Sequence, residues 1–306
     1  MENTNIEYKK VNWSFFAFLG FELALMIFLV FWGRKYINLD DIMISTVLAE
    51  STILIPPLII LLCNRYEEGF LNRVGFKSMK LSTWGLVLLY GIAIMPLGTL
   101  ANAISMLFVD NTVLEVSGTM LEAPWYMTFI STAIMAPLIE EFAFRGFMFR
   151  GYRRDKSRLS AVIISALSFA FMHLNFNQAA YAFVLGVAFA LVVEATDSIW
   201  SSIFCHFLFN AETVVVMVIS EYISPGLYDD ISVDRNELLY SIPGYITGAG
   251  VALVFAVAIL FAIAKNQGRT EQIKELFQKP EKKSKIISVP LVLAYVFCLM
   301  YMVLML

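Results

Sequence analysis

Long apolar runs dominate this sequence, and each is about 20 residues long, the length that an α-helix needs to cross a lipid bilayer. Hydrophobic residues make up 59% of the 306 residues, and charged residues only 15%. In a water-soluble domain about a quarter of the residues are charged. This chain therefore has too few charged residues to cover a water-facing surface. The sequence therefore predicts an integral membrane protein. The predicted spans are residues 13–33, 42–62, 84–108, 125–149, 159–176, 178–196, 198–219, 241–264 and 286–306.

About nine such spans predict an all-α fold, a polytopic transmembrane helix bundle, because a membrane helix satisfies its own backbone hydrogen bonds. The first run is too long for a signal peptide, and Arg34 and Lys35 follow it where a cleavage site would be expected. No internal repeat or long linker divides the chain, which indicates one membrane domain. Within it we expect N-terminal helices at 1–124, a core at 125–219 that carries the motifs below, and C-terminal helices at 220–306.

Lysine and arginine predict the orientation of the spans. Eighteen of the 22 basic residues fall in alternate loops on one side of the predicted membrane, and three fall on the other side. Basic loops stay in the cytoplasm. We therefore expect a multi-pass protein of a bacterial plasma membrane with a cytoplasmic N-terminus, an outer C-terminus and segment 265–285 in the cytoplasm. The expected partners are the lipid bilayer and a peptide or protein substrate, and no nucleic acid.

A pair of glutamates lies inside the fourth span. Ionisable groups in the hydrocarbon layer are costly unless they are paired or solvated. Glu141 and Arg145 are four residues apart, so on a helix they share a face and can form an ion pair. Glu140 points away from that pair and has no basic residue at helical spacing. Pro137, one turn earlier, is expected to kink the helix. A buried structural ion pair with a protonated Glu140 is the alternative interpretation.

The two histidines of the chain both lie within predicted spans, His173 in the fifth and His206 in the seventh. Asn210 is one turn from His206, so one helix face presents an imidazole and an amide. From the helix rise, Glu140, His173 and His206 fall within about 8 Å of one membrane depth. A carboxylate in an apolar site can take a proton from water, and histidine and asparagine can stabilise an oxyanion. These are the groups needed to hydrolyse an amide.

Other catalytic signatures of membrane proteases are absent from the sequence, which has no HExxH, Gly-x-Ser-Gly or Gly-x-Gly-Asp. Cys63, Cys205 and Cys298 are widely spaced and are expected to be buried apolar residues without a disulfide. Cys205 adjoins His206, but neighbours on a helix face different directions, so we expect no thiol dyad.

Three motifs on successive helices resemble the CPBP family of intramembrane proteases, which includes the type II CAAX prenyl endopeptidases and bacterial proteins of bacteriocin maturation and self-immunity. They are Glu-Glu-x-x-x-Arg at 140–145, Phe-x-x-x-His at 169–173 and His-x-x-x-Asn at 206–210. The resemblance covers roughly residues 125–212, and no motif position departs from the pattern. It implies an intramembrane endopeptidase with a CAAX-protease-like core, which cuts a peptide bond near the cytoplasmic face.

The resemblance also implies a role for each motif residue. Glu140 would activate the hydrolytic water, and His173 would help to hold it. His206 and Asn210 would stabilise the oxyanion of the tetrahedral intermediate. The remaining roles are implied as follows: Glu141 and Arg145 orient the site, and Phe169 packs against it.

Four further glutamates in predicted spans match no family position. Glu194 and Glu212 are expected to line the cavity around the site, whereas Glu22 and Glu50 are expected to make helix contacts. Other functions stay open at this point. Intramembrane Glu and His could form the proton relay of a transporter, although no inverted repeat is visible. A non-catalytic scaffold or immunity protein of the same fold is the other alternative.

The same motif residues could in principle bind a metal ion. Glu140, His173 and His206 match the His₂Glu ligand set of a catalytic zinc site. The histidines are, however, 33 residues apart on separate helices, and Asn210 is a poor zinc ligand. No carboxylate lies at helical spacing from His173 to orient its ring, as zinc-bound histidines usually require. We therefore expect no cofactor, with zinc as the alternative.

Overall fold

The fold is helical throughout the described part of the chain. The computed structural model describes residues 4–38, 41–64, 69–153, 158–228, 233–276, 278 and 286–306, and these contain no β-strand. This confirms the all-α prediction. The helices are α1 (Thr4–Phe31), α2 (Ile42–Cys63), α3 (Phe70–Val74), α4 (Leu81–Ser105), α5 (Thr112–Glu122), α6 (Trp125–Arg153), α7 (Arg158–Phe171), α8 (Phe176–Thr196), α9 (Ile199–Ile223), α10 (Arg235–Gln267), α11 (Thr270–Glu275) and α12 (Val289–Leu304).

Each of the nine predicted spans corresponds to an apolar helix. Within the described residues, seven helices are long and apolar enough to cross a membrane: α1, α2, α4, α6, α8, α9 and α10. The other two, α7 and α12, are shorter, with 14 and 16 residues. The protein is thus a polytopic helix bundle, and the number of spans stays a prediction, as does the division into three parts.

Helices α4 and α8 lie at the centre of the bundle. Helix α4 packs against α8, α9 and α10, and α8 packs against its neighbour α7 as an antiparallel hairpin. The hydroxyl of Tyr90 on α4 donates to the carbonyl of Ala188 on α8 at 3.0 Å. Helix α6 lies against α2, α7 and α9. The motif-bearing helices are therefore held in the interior by helices on several sides.

Large apolar side chains cover the outer surface of the bundle. On α10, Val254 and Phe255 are 70% and 60% exposed. Apolar surface of this extent is costly in water but favourable against lipid. The surface pattern therefore agrees with the hydropathy of the sequence, and both indicate an integral membrane protein.

A network of arginines closes one end of the bundle, which we call the cationic face. Asp197, in the turn between α8 and α9, pairs with Lys77 at 2.6 Å and with Arg150 and Arg153 at 2.9 Å. Burial alone would raise the pKa of Asp197, but Arg150 and Arg153, together with Lys77, hold this pKa well below its usual range. Loops predicted to lie on one side of the membrane thus meet at one end of the structure.

Glu194 also belongs to this face, which corrects the expectation that it lines the cavity around the site. Its side chain is fully buried and pairs with Arg158 at 2.8 Å and with Arg153 at 3.0 Å. Arg269 adds a hydrogen bond to its backbone carbonyl at 2.8 Å. Its role is to tie α8 to the ends of α6, α7 and α10.

Candidate active site

Helix α6 carries the glutamate pair between two π-helical segments. These are Phe129–Met135 and Phe142–Phe149, and the α-helical turn between them is Ala136–Glu141. In a π segment each backbone N–H reaches one residue further back than in an α-helix, so the backbone widens locally. The sequence predicted a kink at Pro137, whereas the irregularity is spread over both sides of the pair. Such segments are frequent at functional sites.

Glu141 is the centre of the polar cluster. Its Oε1 atom accepts from Nη1 of Arg145 at 2.8 Å and lies 3.1 Å from Nδ1 of His206. The side chains of Glu141 and Arg145 are both fully buried. The predicted ion pair is confirmed. A buried pair of this kind costs several kcal/mol when one partner is removed, because the other charge is left unpaired.

Aromatic rings and one close backbone contact hold Arg145 in place. Its guanidinium lies 4.2 Å from the ring centre of Phe169 and 5.2 Å from that of Phe189. Its Nη2 donates to the carbonyl of Gly186 at 3.2 Å. A β-carbon at Gly186 would lie 3.2 Å from Nη2 of Arg145 and 3.1 Å from the Cα of Ala166. The absence of a side chain at 186 lets α7, α8 and Arg145 approach each other.

Glu140 lies beside this cluster without a close partner of its own. Its Oε2 atom is 3.6 Å from Nε2 of His206, too long for a hydrogen bond, and has no hydrogen-bond partner in the described part of the chain. The residue is 6% exposed. A buried carboxylate oxygen without a partner is unusual, and a water molecule or a substrate group would satisfy it.

His206 stands between the two glutamates. Its ring stacks on Phe189 at 5.1 Å and meets the edge of Phe169 at 5.7 Å. Because Arg145 keeps Glu141 ionised, Nδ1 of His206 carries a proton toward Glu141, and Nε2 faces Glu140. The neutral ring therefore presents a lone pair to Glu140, and the protonated ring presents an N–H.

His173 is not in a helix, contrary to the predicted span at 159–176. Helix α7 ends at Phe171, and His173 lies in the turn before α8, where Leu174 adopts a left-handed conformation with φ 54°. Asn175 ends this turn by capping α8 through the backbone N–H of Gln178 at 2.7 Å. The imidazole of His173 packs on Phe169 at 5.4 Å and makes no hydrogen bond among the described residues.

Asn210 also lies at the site, one turn beyond His206. Its Nδ2 donates at 2.8 Å to the carbonyl of Thr132, which belongs to the first π segment of α6. This bond fixes the amide against the same helix that carries Glu140. The amide keeps a second N–H for another acceptor.

Glu50 is a site neighbour that sequence reasoning missed. It is 6% exposed on α2, one of its oxygens has no hydrogen-bond partner among the described residues, and α2 packs against the turn of α6 that carries Glu140. Its only sequence signal was an acidic residue in an apolar run. Glu22 behaves as expected of a helix contact, because it accepts from Thr52 at 2.7 Å.

The cysteines take no part in the cluster. Cys205 is buried and turns to α4, where Sγ donates to the carbonyl of Val87 at 3.8 Å. Cys298 is buried as expected, whereas Cys63 is exposed at the end of α2. All three are free thiols.

The side-chain geometry offers little to a metal ion. Among the described residues, no group of three or more His, Cys, Asp or Glu side chains is placed to hold one. One feature does fit zinc chemistry, since the Nδ1 of His206 is oriented by a carboxylate, as in many zinc sites. The expectation that the protein needs no cofactor stays a prediction.

Comparison with known proteins gives an independent view of this region. The family model for the type II CAAX prenyl endopeptidase Rce1-like proteins matches residues 122–211. UPF0177 protein YaiH of Lactococcus lactis subsp. lactis (strain IL1403) is 36% identical over 104 residues, or 34% of this chain and 42% of that protein. The protein named "Putative membrane peptidase YdiL" of Bacillus subtilis (strain 168) is 27% identical over 89 residues, or 29% and 36%.

A third relative, the UPF0177 protein in abiGi 5'region of Lactococcus lactis subsp. cremoris, is 30% identical over 104 residues, or 34% of this chain and 43% of that protein. The matched stretches thus span about two fifths of the length of these relatives. No solved structure matches this chain significantly.

The fold and the buried polar cluster define a polytopic helical membrane protein. Its middle third carries the helices that match the type II CAAX prenyl endopeptidase Rce1-like family model. The matched segment contains the six polar motif residues of the three motifs and the helices that carry them. The resemblance noted in the sequence is confirmed: residues 122–211 are similar to the type II CAAX prenyl endopeptidase Rce1-like family.

Proposed function

We propose that the protein is an intramembrane endopeptidase that hydrolyses a peptide bond with a water molecule activated by Glu140. The observation that carries this proposal is the unpartnered Oε2 of Glu140, buried 3.6 Å from Nε2 of His206. A water molecule that bridges these two atoms would satisfy both. A peptide carbonyl placed next to that water completes the arrangement needed for attack.

Charge balance supports a coupled role for Glu140 and His206. With Glu140 protonated and His206 neutral, the cluster has no net charge, because Glu141 and Arg145 neutralise each other. With Glu140 ionised and His206 protonated, the net charge is again zero. A proton can therefore move between the two residues without creating a net buried charge, which would be costly. The ionised Glu140 is the base, and the protonated His206 is the oxyanion donor.

The other motif residues complete the proposed mechanism. Glu140 takes a proton from water as the oxygen attacks the carbonyl carbon, and Nε2–H of His206 stabilises the developing oxyanion. The free N–H of Asn210 is a second donor. Glu140 then delivers its proton to the leaving amine. His173, with its free imidazole, helps to hold the water, and Glu141 keeps the ring of His206 in place.

The depth of Glu140 along α6 bears on where the bond would be cut. Glu140 lies ten residues before Arg150 of the cationic face, or about 15 Å along the helix. That is about half of the hydrocarbon thickness of a bilayer. The sequence indicated cleavage near the cytoplasmic face, whereas this depth favours a peptide segment that reaches toward the bilayer centre.

Cleavage in isotopically labelled water tests the proposal. The purified protein in lipid nanodiscs is incubated with a library of synthetic apolar peptides in ¹⁸O-labelled water, and products are read by mass spectrometry. We expect new C-termini that carry ¹⁸O, and none with the Glu140→Gln variant. An intact library would favour a binding protein of the same fold. Proton-coupled uptake by protein-containing liposomes would favour a transporter.

A further inference from the structure

A cavity opens on the half of the bundle opposite the cationic face. It has a volume of about 260 Å³ and lies between α4, α5, α8 and α9. Its polar lining includes Thr99, Asn102, Asn111, Ser117 and Thr213. Each of these five side chains already makes a hydrogen bond within the described part of the chain.

One carboxylate gives the cavity its charge. Glu212 on α9 is the single charged side chain among the described residues that line it. The residue is exposed, and no hydrogen bond or ion pair to it forms within the described part of the chain. An unpaired glutamate in an apolar helix is costly, so a functional reason is expected. Glu212 thus lines a cavity, as expected from the sequence.

One aromatic residue of the cavity lining lies close to His206 in helix α9. Tyr181 and Phe209 both line the cavity, and their rings lie 5.9 Å apart. Phe209 is three residues beyond His206, on the same side of α9. The cavity lining therefore includes an aromatic side chain one turn of α9 from the proposed oxyanion donor His206.

We propose that Glu212 binds the primary ammonium group of a lysine side chain of the substrate peptide. This inference rests on the proposed function. A single carboxylate is too few ligands for Ca²⁺ or Mg²⁺. An ammonium group has three donors, and a carboxylate with neighbouring hydroxyl and amide oxygens satisfies them. The ammonium would enter from the face opposite the arginines, which would repel it.

Helix geometry predicts the spacing of this group from the cleaved bond. Glu212 is six residues beyond His206, which is about 9 Å along the axis of α9 and about 120° around it. An extended peptide covers the resulting separation with about three to four residues. The substrate class is therefore an apolar peptide with one lysine about three to four positions from the cleaved bond.

Peptide binding without hydrolysis tests the inference. The full chain with Glu140→Gln is placed in nanodiscs, and two fluorescent apolar peptides are titrated that differ only in lysine or acetyl-lysine at the predicted position. We expect the lysine peptide to bind about fivefold more tightly, the upper end for a solvent-accessible ion pair. Adding Glu212→Gln should remove this preference. Adding Glu122→Gln, a nearby exposed carboxylate outside the cavity lining, should keep it.

Charge reversal gives a second arm. Glu212→Lys should prefer a peptide with glutamate in place of lysine. Equal affinity for the lysine and acetyl-lysine peptides, absence of binding by both, or a preference that survives Glu212→Gln would overturn the inference. A lysine preference without hydrolysis by the wild-type protein leaves this site standing and removes the proposed function. Hydrolysis of both peptides by the wild type, without any preference in binding, supports the proposed function and removes the Glu212 site.

Discussion

Oε2 of Glu140 lies 3.6 Å from Nε2 of His206, while Glu141 occupies the other nitrogen of the same ring at 3.1 Å. Two adjacent glutamates thus contact one imidazole from opposite sides, and only one of them is neutralised by an arginine. We therefore expect substitution of Glu141 to lower stability and substitution of Glu140 to lower activity.

The substitution Glu141→Gln should destabilise the fold. It leaves the fully buried Arg145 without its counter-ion and replaces the anionic acceptor of His206 by a neutral amide. We expect a loss of about 3 kcal/mol or more in the free energy of unfolding. Thermal unfolding in detergent and the yield of membrane-inserted protein measure it. Glu122→Gln, at an exposed position, is the control, and equal stability of the two variants would contradict a structural role for Glu141.

The substitution Gly186→Ala should also destabilise, because the added carbon meets the backbone of α7 and the guanidinium of Arg145. Overpacking of this kind costs roughly 1–3 kcal/mol. Gly85→Ala is the control, because a carbon at that position meets nothing within 4 Å. The melting temperatures of the two variants, compared with the wild type, test the close packing. Equal melting temperatures for Gly186→Ala, Gly85→Ala and the wild type would contradict the close packing around Gly186.

The cationic face is predicted to be cytoplasmic. An impermeant maleimide applied to intact cells should not label Lys274→Cys, on the exposed surface of α11, until the membrane is permeabilised. It should label Glu237→Cys at the start of α10 without permeabilisation. Because native Cys63 is exposed, both variants are made in a Cys63→Ser background. Ready labelling of Lys274→Cys in intact cells would reverse the predicted orientation.

Removal of metal should leave the protein active. We expect the purified protein to contain far less than one equivalent of zinc and to keep its activity through prolonged chelation, because Glu140 and His206 can share a proton without a metal. Elemental analysis and activity before and after chelation check this. Stoichiometric zinc that is lost together with activity and restored with it would contradict the glutamate-water mechanism.

The sequence predicted the parts of the site that depend on local spacing. Glu141 and Arg145 are one helical turn apart, and so are His206 and Asn210, so their shared faces follow from helix periodicity. The apolar runs likewise predicted the helix bundle. These predictions needed no knowledge of how distant helices pack.

The features that the sequence did not reveal depend on contacts between distant segments. Glu50 is near Glu140 because α2 packs on α6, and no spacing rule connects them. Glu194 is surrounded by arginines from three other elements. The turn at His173 contains no glycine or proline, the residues from which a turn is usually predicted. Leu174 adopts the left-handed conformation in this turn.

The catalytic role of Glu140 is the central claim. Measuring both kcat/KM and the melting temperature of the Glu140→Gln variant tests it most directly. The substitution keeps the side-chain shape and removes the base, while Glu141, Arg145 and His206 keep their contacts. We expect kcat/KM for a cleaved peptide to fall by at least about 10²-fold, the smaller end for loss of a general base, with an unchanged melting temperature. Activity within a few-fold of the wild type, or a melting temperature as low as that of Glu141→Gln, would contradict the account.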